Sequence, residues 1–286
     1  MEEDSILLLQ LHEGHKTNNP TVDLIKQVGV ESKKLWSIGG PAIFTSICQY
    51  TLTAITQTFI GHVGTIQLAA VSMASSVVAG FAFGIMLGMA SALETLCGQA
   101  FGAGQLTMLG IYLQRSWVIS FCTALVLVPL YVFSPPILKL LGENTEIADA
   151  TGKFAIYILP QLFAYSVNYP IQKFLQAQRK VMVMAWVSGT VMVIHVFVSW
   201  LLILKIDLGL VGAAIALDLS WWLIVLGHLI YILVGNTDRA WTGFSFLAFK
   251  DLYGFVKLSL ASGFGILVLD VADSYNRIFE EPISNS

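Results

Sequence analysis

Residues 94–105, ETLCGQAFGAGQ, place an acid, a cysteine and several glycines directly after a long apolar segment. A stretch of this kind is compatible with a phosphate loop, a metal site, a redox site or a structural turn. No Lys–Ser/Thr pair follows the glycines, as a phosphate-binding P-loop requires. Glu94 and Cys97 alone are too few ligands for a metal ion, and a lone cysteine without a partner disfavours redox chemistry.

The stretch is therefore predicted to be an elbow that joins two helices. Three glycines, at positions 98, 102 and 104, are expected to let the backbone turn tightly and pack against neighbours. Glu94 is expected to cap the helix or to pair locally, with Arg115 as the candidate partner.

One acid and two histidines lie inside long apolar segments. Asp218, in AAIALDLSWWL, has no Lys or Arg within helical reach, and an ionisable group in a bilayer costs about 2.5–3.5 kcal/mol on insertion scales. Two interpretations stay open: a protonatable residue of a cavity, or an acid near the interface that water still reaches. His195 and His228 titrate near neutral pH in water, but packing histidines are the more common case.

Neutral polar side chains recur at helical spacing in two further segments. Tyr50, Thr53 and Gln57 lie on one apolar segment, where the i, i+4 spacing of Thr53 and Gln57 places both on one face. A second stripe consists of Gln161, Tyr165, Asn168, Gln172 and Gln176. Each stripe predicts either the wall of a polar cavity or hydrogen bonding between helices. The candidate substrate and ion pathway consists of Tyr50, Thr53, Gln57, Asn168, Asp218 and Asp270.

The overall composition indicates an integral membrane protein. The chain of 286 residues is 56% hydrophobic and 12% charged, against about 25% charged in soluble proteins. A bilayer-spanning helix needs about 20 apolar residues. Segments that meet this criterion cover roughly 36–60, 69–93, 111–133, 154–175, 181–204 and 212–234, and a seventh begins near 253 and fades near 270.

Positive charges predict the orientation of these spans. Eleven Lys and Arg residues lie in the N-terminal segment and in the links after spans two, four and six, against three in the other links. This bias places the N-terminus in the cytosol. The predicted organisation is a tail over 1–34, a six-helix lobe over 35–234, a cytosolic linker over 235–252, and a partial seventh helix with a divergent tail over 253–286.

Several functional classes are disfavoured by the sequence. It contains no HExxH, GxSxG or Walker motif and no pair of acids at catalytic spacing, so we do not expect an enzyme. A net charge of −3 gives no support for nucleic-acid binding. Neither a cofactor nor a metal ion is predicted.

Three blocks carry a resemblance to a known family. They are GMASALETLCGQAFGAGQLTMLGIYLQRSW (88–117), YPIQKFLQAQRKVMVMAW (169–186) and FVKLSLAS (255–262). Together they resemble the MATE (multidrug and toxic compound extrusion) transporters, specifically the plant branch. The positions that carry this signature are Glu94, Cys97, Gly98, Gln99, Gly102, Gly104, Gln176 and Gln178.

The resemblance implies a twelve-helix fold in two six-helix lobes with a cavity between them. It also implies efflux of organic compounds in exchange for protons or sodium ions, with the proton as the expected coupling ion. In this chain Gln57 stands where bacterial relatives carry an aspartate, and Leu269 stands where plant relatives carry an acid, with Asp270 beside it. The expected partners are therefore a small organic substrate and membrane lipid. The expected location is the plasma membrane or the vacuolar membrane.

The resemblance extends over roughly 31–262, and the second lobe of the family pattern does not follow. Two functional hypotheses therefore stand: the N-terminal half of an efflux antiporter, or a truncated isoform that does not transport and is inert or associates with a full-length transporter. A seven-helix receptor is disfavoured, because such receptors place the N-terminus outside.

Overall fold

The computed structural model describes residues 20–234, 240–250 and 252–257, with side chains from residue 27 onward. Within these ranges the chain forms helices and connecting turns and contains no strand. In chain order the helices are α1 (Pro20–Ile60), α2 (Thr65–Met73), α3 (Ala79–Gly102), α4 (Leu106–Val132), α5 (Ser134–Leu140), α6 (Thr145–Tyr157), α7 (Leu159–Ala177), α8 (Val181–Ser199) and α9 (Gly209–Leu233). A π-helical turn, Ala74–Val78, joins α2 to α3, a second, Trp200–Lys205, extends α8, and a 3₁₀ turn covers Phe246–Phe249.

Four of the described helical segments are long and apolar enough to cross a membrane. They are Thr65–Gly102, Leu106–Val132, Val181–Lys205 and Gly209–Leu233. The other two predicted spans, 36–60 and 154–175, correspond to α1 and to the α6–α7 region. These two regions carry the polar stripes, which lower their mean hydropathy. The all-helical membrane fold is confirmed, whereas the count of six spans stays a prediction.

The first helix begins earlier than the apolar pattern predicted. The sequence pattern predicts a tail over 1–34, whereas α1 starts at Pro20 and continues without a break to Ile60. The local sequence explains this start, because proline is favoured in the first helical turn. Hydropathy alone does not register such a polar extension.

The fourth predicted span is divided into two helices. α6 ends at Tyr157 and α7 begins at Leu159, with Pro160 in its first turn. Proline lacks a backbone N–H, so the helix is readily interrupted there while α7 starts without losing a bond. After the interruption, α7 packs beside α3, α4 and α9.

The helices pack as one bundle with two apolar clusters. α1 packs on α8, α3 on α4 and α7, and α9 on α7 and α8. One cluster includes Ile60, Phe154 and Trp221, and the other includes Cys97 and Phe174 near the turn between α3 and α4.

The predicted elbow is mostly helix. α3 continues to Gly102, and the reversal is confined to residues 103–105. Gly104 has φ +72°, while the N–H of Gln105 donates to the Ala100 carbonyl at 2.9 Å, which gives a Schellman-type end. The expectation that Gly98 and Gly102 also serve the turn is wrong, because both are helical and a Cβ at either position would meet nothing within 4 Å.

The described part of the predicted linker, residues 240–250, is held against α4. Gln114 Nε2 donates to the Gly243 carbonyl at 2.9 Å, and Gln114 Oε1 accepts from the Ser245 N–H at 2.8 Å. Arg115 donates to the Leu247 carbonyl at 3.2 Å. Arg115, the proposed partner of Glu94, thus binds this segment instead.

Candidate functional site

A cavity of about 570 Å³ lies among α1, α3, α7 and α9. Its walls combine hydroxyl, amide and aromatic side chains with small residues. The lining residues are Ser46, Gln49, Tyr50, Thr53, Ala54, Gln57, Ser75, Ser76, Ala79, Gly80, Phe83, Leu87, Gln161, Tyr165, Tyr169, Gln172, Lys173, Gln176 and Trp221. Cavities of about 300–1,000 Å³ with this mixture accommodate small organic ligands.

Four aromatic rings form one side of the cavity. Tyr165 lies edge-on to Trp221 at a centroid distance of 4.6 Å and 5.3 Å from Tyr169. Phe83, contributed by α3, lies 5.4 Å from Tyr169. Spacings of this kind are favourable for edge and offset ring contacts, so the wall is a preformed aromatic surface.

Several buried polar atoms of the cavity wall have no hydrogen-bond partner. They are Gln49 Nε2, Gln161 Oε1, Tyr169 Oη, Gln172 Nε2 and Trp221 Nε1. A buried polar group without a partner costs about 1–3 kcal/mol. Water or the polar groups of a ligand are therefore expected to satisfy these atoms.

The three predicted pathway residues of α1 lie in this wall. Tyr50, Thr53 and Gln57 all line the cavity. Tyr50 is 79% exposed, so the cavity opens beside it. Their shared face follows from the spacing that the sequence displayed.

Asn168, predicted to line the pathway, has a different position. Its side chain is fully buried, and Oδ1 lies 3.1 Å from Nδ1 of His228, which is also fully buried. Asn168 therefore joins α7 to α9, as the hydrogen-bonding interpretation of its stripe required. The other members of that stripe, Gln161, Tyr165, Gln172 and Gln176, do line the cavity.

Asp218 is not among the residues that line the cavity. Its carboxyl group lies against the backbone amide of Gln161 and within electrostatic range of Tyr131 and Tyr165, and its Oδ1 has no hydrogen-bond partner. Gln161 in turn donates from its side chain to the Tyr165 hydroxyl. Asp270, the other predicted acid, lies outside the described residues.

His195 connects three helices. Its Nε2 lies 3.0 Å from Thr56 Oγ1 and 2.9 Å from the Leu52 carbonyl on α1, and its Nδ1 lies 2.8 Å from Ser220 Oγ on α9. The residue is fully buried. These contacts support the packing interpretation of both histidines.

The signature residues divide into several environments. Glu94 pairs with Lys173, whose Nζ lies 2.6 Å from Oε2, and not with Arg115 as proposed. Cys97 is fully buried in the second apolar cluster, while Gln178 donates from Nε2 to the Phe174 carbonyl. Gly98, Gln99, Gly102 and Gly104 are exposed.

Lys173, Tyr169, Phe83 and Trp221 are among the cavity residues that the sequence analysis did not single out. Lys173 and Tyr169 continue the helical line of Tyr165 at steps of four residues, so the spacing contained a signal for them. Phe83 and Trp221 lie in apolar segments, in which nothing distinguishes a cavity ring from a lipid-facing one.

Apolar helices of membrane-spanning length, packed around a polar cavity, define a multi-pass helical membrane protein. In the described part of the chain no group of three or more His, Cys, Asp or Glu side chains is placed to hold a metal ion.

Comparison with known proteins gives the family. The MatE family model matches residues 41–201. Protein DETOXIFICATION 33 of Arabidopsis thaliana is 66% identical over 237 residues, which are 83% of this chain and 49% of the relative. Protein DETOXIFICATION 32 of the same organism is 55% identical over 267 residues, or 91% of this chain and 52% of the relative. The chain therefore belongs to the MATE family.

Solved structures agree with this assignment. The crystal structure of the eukaryotic MATE transporter AtDTX14 superimposes with a TM-score of 0.79 at 33% identity, over 82% of this chain and 52% of that one. The Vibrio cholerae MATE transporter VcmN in its bent form shares the fold at 18% identity, with a TM-score of 0.74 over 88% of this chain and 57% of that one. This chain spans about half the length of the curated relatives that it matches.

Proposed function

We propose that the chain forms one lobe of a secondary active transporter that expels organic compounds, such as xenobiotics or secondary metabolites, in exchange for protons. The observation that carries the proposal is the cavity of about 570 Å³, whose aromatic and amide wall is surrounded by apolar helices. Membership of the MATE family supports a transporter and not an enzyme.

The substrate is a small organic compound held by two kinds of contact. The ring cluster of Tyr165, Tyr169 and Trp221 provides apolar area, and amide groups such as Gln57 provide orientation. This combination tolerates compounds of different shape, because ring contacts are weakly directional and an amide both donates and accepts hydrogen bonds.

Asp218 is the proposed proton-binding residue. Loss of a proton from Asp218 places a negative charge beside the backbone amide of Gln161. The Gln161 side chain donates to the Tyr165 hydroxyl in the cavity wall. A change at Asp218 thereby reaches the substrate surface through two residues. Gln57 faces the cavity but does not titrate, so coupling does not pass through a charge at that position.

The proposed topology has the N-terminus in the cytosol and six spans within 35–234. Residues 235–252 then form the cytosolic linker, of which 240–250 is docked on α4. The adjoining segment, 253–286, is proposed to begin a seventh helix. The protein would reside in the plasma membrane or the vacuolar membrane, in contact with lipid along its apolar helices.

Transport in proteoliposomes tests this proposal. The 286-residue chain is reconstituted alone and, in parallel, joined after residue 257 to the second half of Protein DETOXIFICATION 33. Movement of labelled aromatic compounds is measured with and without an imposed pH gradient. Gradient-dependent movement by the joined protein is expected, with little by the chain alone. No movement by the joined protein for any tested compound would contradict the proposal.

A further inference from the structure

An ion pair lies at one end of the cavity. Lys173 Nζ on α7 is 2.6 Å from Glu94 Oε2 on α3. The Lys173 side chain is 18% exposed and lines the cavity, whereas the Glu94 side chain is 53% exposed and is not among the lining residues. Among the described residues that line the cavity, Lys173 is the one with a charged side chain. The cavity therefore contacts the cation, and the compensating carboxylate lies outside the lining and is half-exposed.

The ammonium group continues the aromatic wall. Tyr165, Tyr169 and Lys173 follow one another at steps of four residues on α7 and so lie on one face. The rise of an α-helix places consecutive members about 6 Å apart along the axis. Beside Lys173, the buried Nε2 of Gln172 has no hydrogen-bond partner. An elongated subsite results, with rings at one end and a cation with an amide at the other.

We infer that this subsite binds an aromatic carboxylate, whose ring lies against Tyr165 and Tyr169 and whose carboxylate takes the place of Glu94 on Lys173. This inference rests on the proposed function in one respect, that the cavity receives substrate. The exchange replaces one carboxylate by another on the same ammonium, so no unpaired charge is left in the cavity. The Glu94 carboxylate is half-exposed, and an exposed ion pair contributes little, so its exchange for a ligand carboxylate costs little.

The same geometry disfavours organic cations at this end of the cavity. No carboxylate belongs to the described lining residues, and a cation placed against the rings at Tyr169 lies one helical turn from the ammonium of Lys173. Specificity arises from repulsion of the wrong ligand as well as from attraction of the right one. Lys173 is thus proposed to determine the charge of the ligand.

Equilibrium binding to the whole chain in lipid nanodiscs tests the inference without requiring transport. The probes are 4-hydroxycinnamate, benzyltrimethylammonium as an aromatic cation, and propionate as a carboxylate without a ring. The chain is expected to bind 4-hydroxycinnamate more tightly than either other probe. Lys173→Gln is expected to weaken 4-hydroxycinnamate about tenfold, the scale of a lost charge-assisted hydrogen bond, and Lys173→Arg is expected to retain binding.

Substitutions of Glu94, the ion-pair partner of Lys173, are expected to change ligand binding in the opposite direction. Glu94→Gln removes the competing carboxylate, so 4-hydroxycinnamate should bind more tightly. The double exchange Glu94→Lys with Lys173→Glu presents a carboxylate to the cavity and should reverse the preference towards benzyltrimethylammonium. Lys139→Gln is the matched control, because Lys139 forms a 2.6 Å pair with Asp149 and does not line the cavity; binding should not change.

The inference would be overturned by no binding of 4-hydroxycinnamate to the wild type or by unchanged binding in Lys173→Gln. Equal losses in Glu94→Gln and Lys173→Gln would also overturn it, because they indicate a structural pair. If Lys173→Gln does not fold, the inference is still tested by two variants. Glu94→Gln should bind 4-hydroxycinnamate more tightly than the wild type, and Lys173→Arg should retain binding. Preference for the aromatic cation would overturn the carboxylate site and leave the proposed efflux function standing. Binding of 4-hydroxycinnamate without gradient-driven transport by the joined protein would support the carboxylate site and contradict the proposed efflux function.

Discussion

Asn168 Oδ1 lies 3.1 Å from Nδ1 of His228, and both side chains are fully buried between α7 and α9. A polar pair at this depth connects two helices that also form the cavity wall. Asn168→Ala leaves His228 without this partner and should lower the free energy of unfolding by about 1–3 kcal/mol. Thermal unfolding in detergent measures the loss. Weaker ligand binding with unchanged unfolding would instead assign Asn168 to the substrate pathway.

His195 should contribute comparably to stability. It contacts α1 through Thr56 and α9 through Ser220. His195→Ala removes both contacts and leaves a space in the bundle, so we expect a loss of at least about 1–3 kcal/mol. His62→Ala is the control, because His62 is exposed in the turn after α1 and its ring bonds to the nearby carbonyl of Thr58. Equal unfolding temperatures for the two variants would show that the contacts of His195 with α1 and α9 do not stabilise the protein.

Gln114 should hold residues 240–250 on α4. Gln114→Ala removes both hydrogen bonds, and we expect faster hydrogen exchange at the Ser245 amide. Gln114→Glu keeps an acceptor for the Ser245 N–H and loses the donor to the Gly243 carbonyl, so its effect should be intermediate. The exposed Gln105→Ala serves as control. Unchanged exchange in Gln114→Ala would show that other contacts suffice to hold the segment.

Glycine substitutions distinguish the roles of the elbow residues. Gly104→Ala forces a side chain into a left-handed conformation and should cost about 1–2 kcal/mol. Gly98→Ala should be neutral or stabilise α3 by about 0.5–1 kcal/mol, because the added Cβ meets nothing. Gly110→Ala places a Cβ 2.5 Å from the Ala240 carbonyl oxygen and should displace the docked segment. Thermal unfolding of the three variants measures these differences. A large loss of stability in Gly98→Ala would indicate that Gly98 does have a structural role.

The membrane class and most helix positions could be predicted from the sequence because hydropathy and length are local properties. The predicted segments 111–133, 181–204 and 212–234 differ from α4, the extended α8 and α9 by a few residues at their ends. The early start of α1 at Pro20 was missed, since a polar helical extension has no apolar pattern.

The site was only partly accessible to sequence reasoning. Helical spacing placed Tyr50, Thr53 and Gln57 on one face, and all three line the cavity. The same spacing did not separate Asn168 from Gln172, because which edge of a polar stripe faces a cavity depends on how α7 is rotated against α9. The Glu94–Lys173 pair joins residues 79 positions apart, and local spacing carries no information on such a contact.

Proton coupling through Asp218 is the central mechanistic claim, and pH-gradient-driven transport by Asp218→Asn measures it most directly. The variant is prepared in the protein joined to a second lobe, with Asp149→Asn, whose carboxylate pairs with Lys139 away from the cavity, as control. We expect Asp218→Asn to retain substrate binding and to lose the stimulation of transport by the pH gradient, while the control retains both. Stimulation equal to that of the wild type would contradict the account.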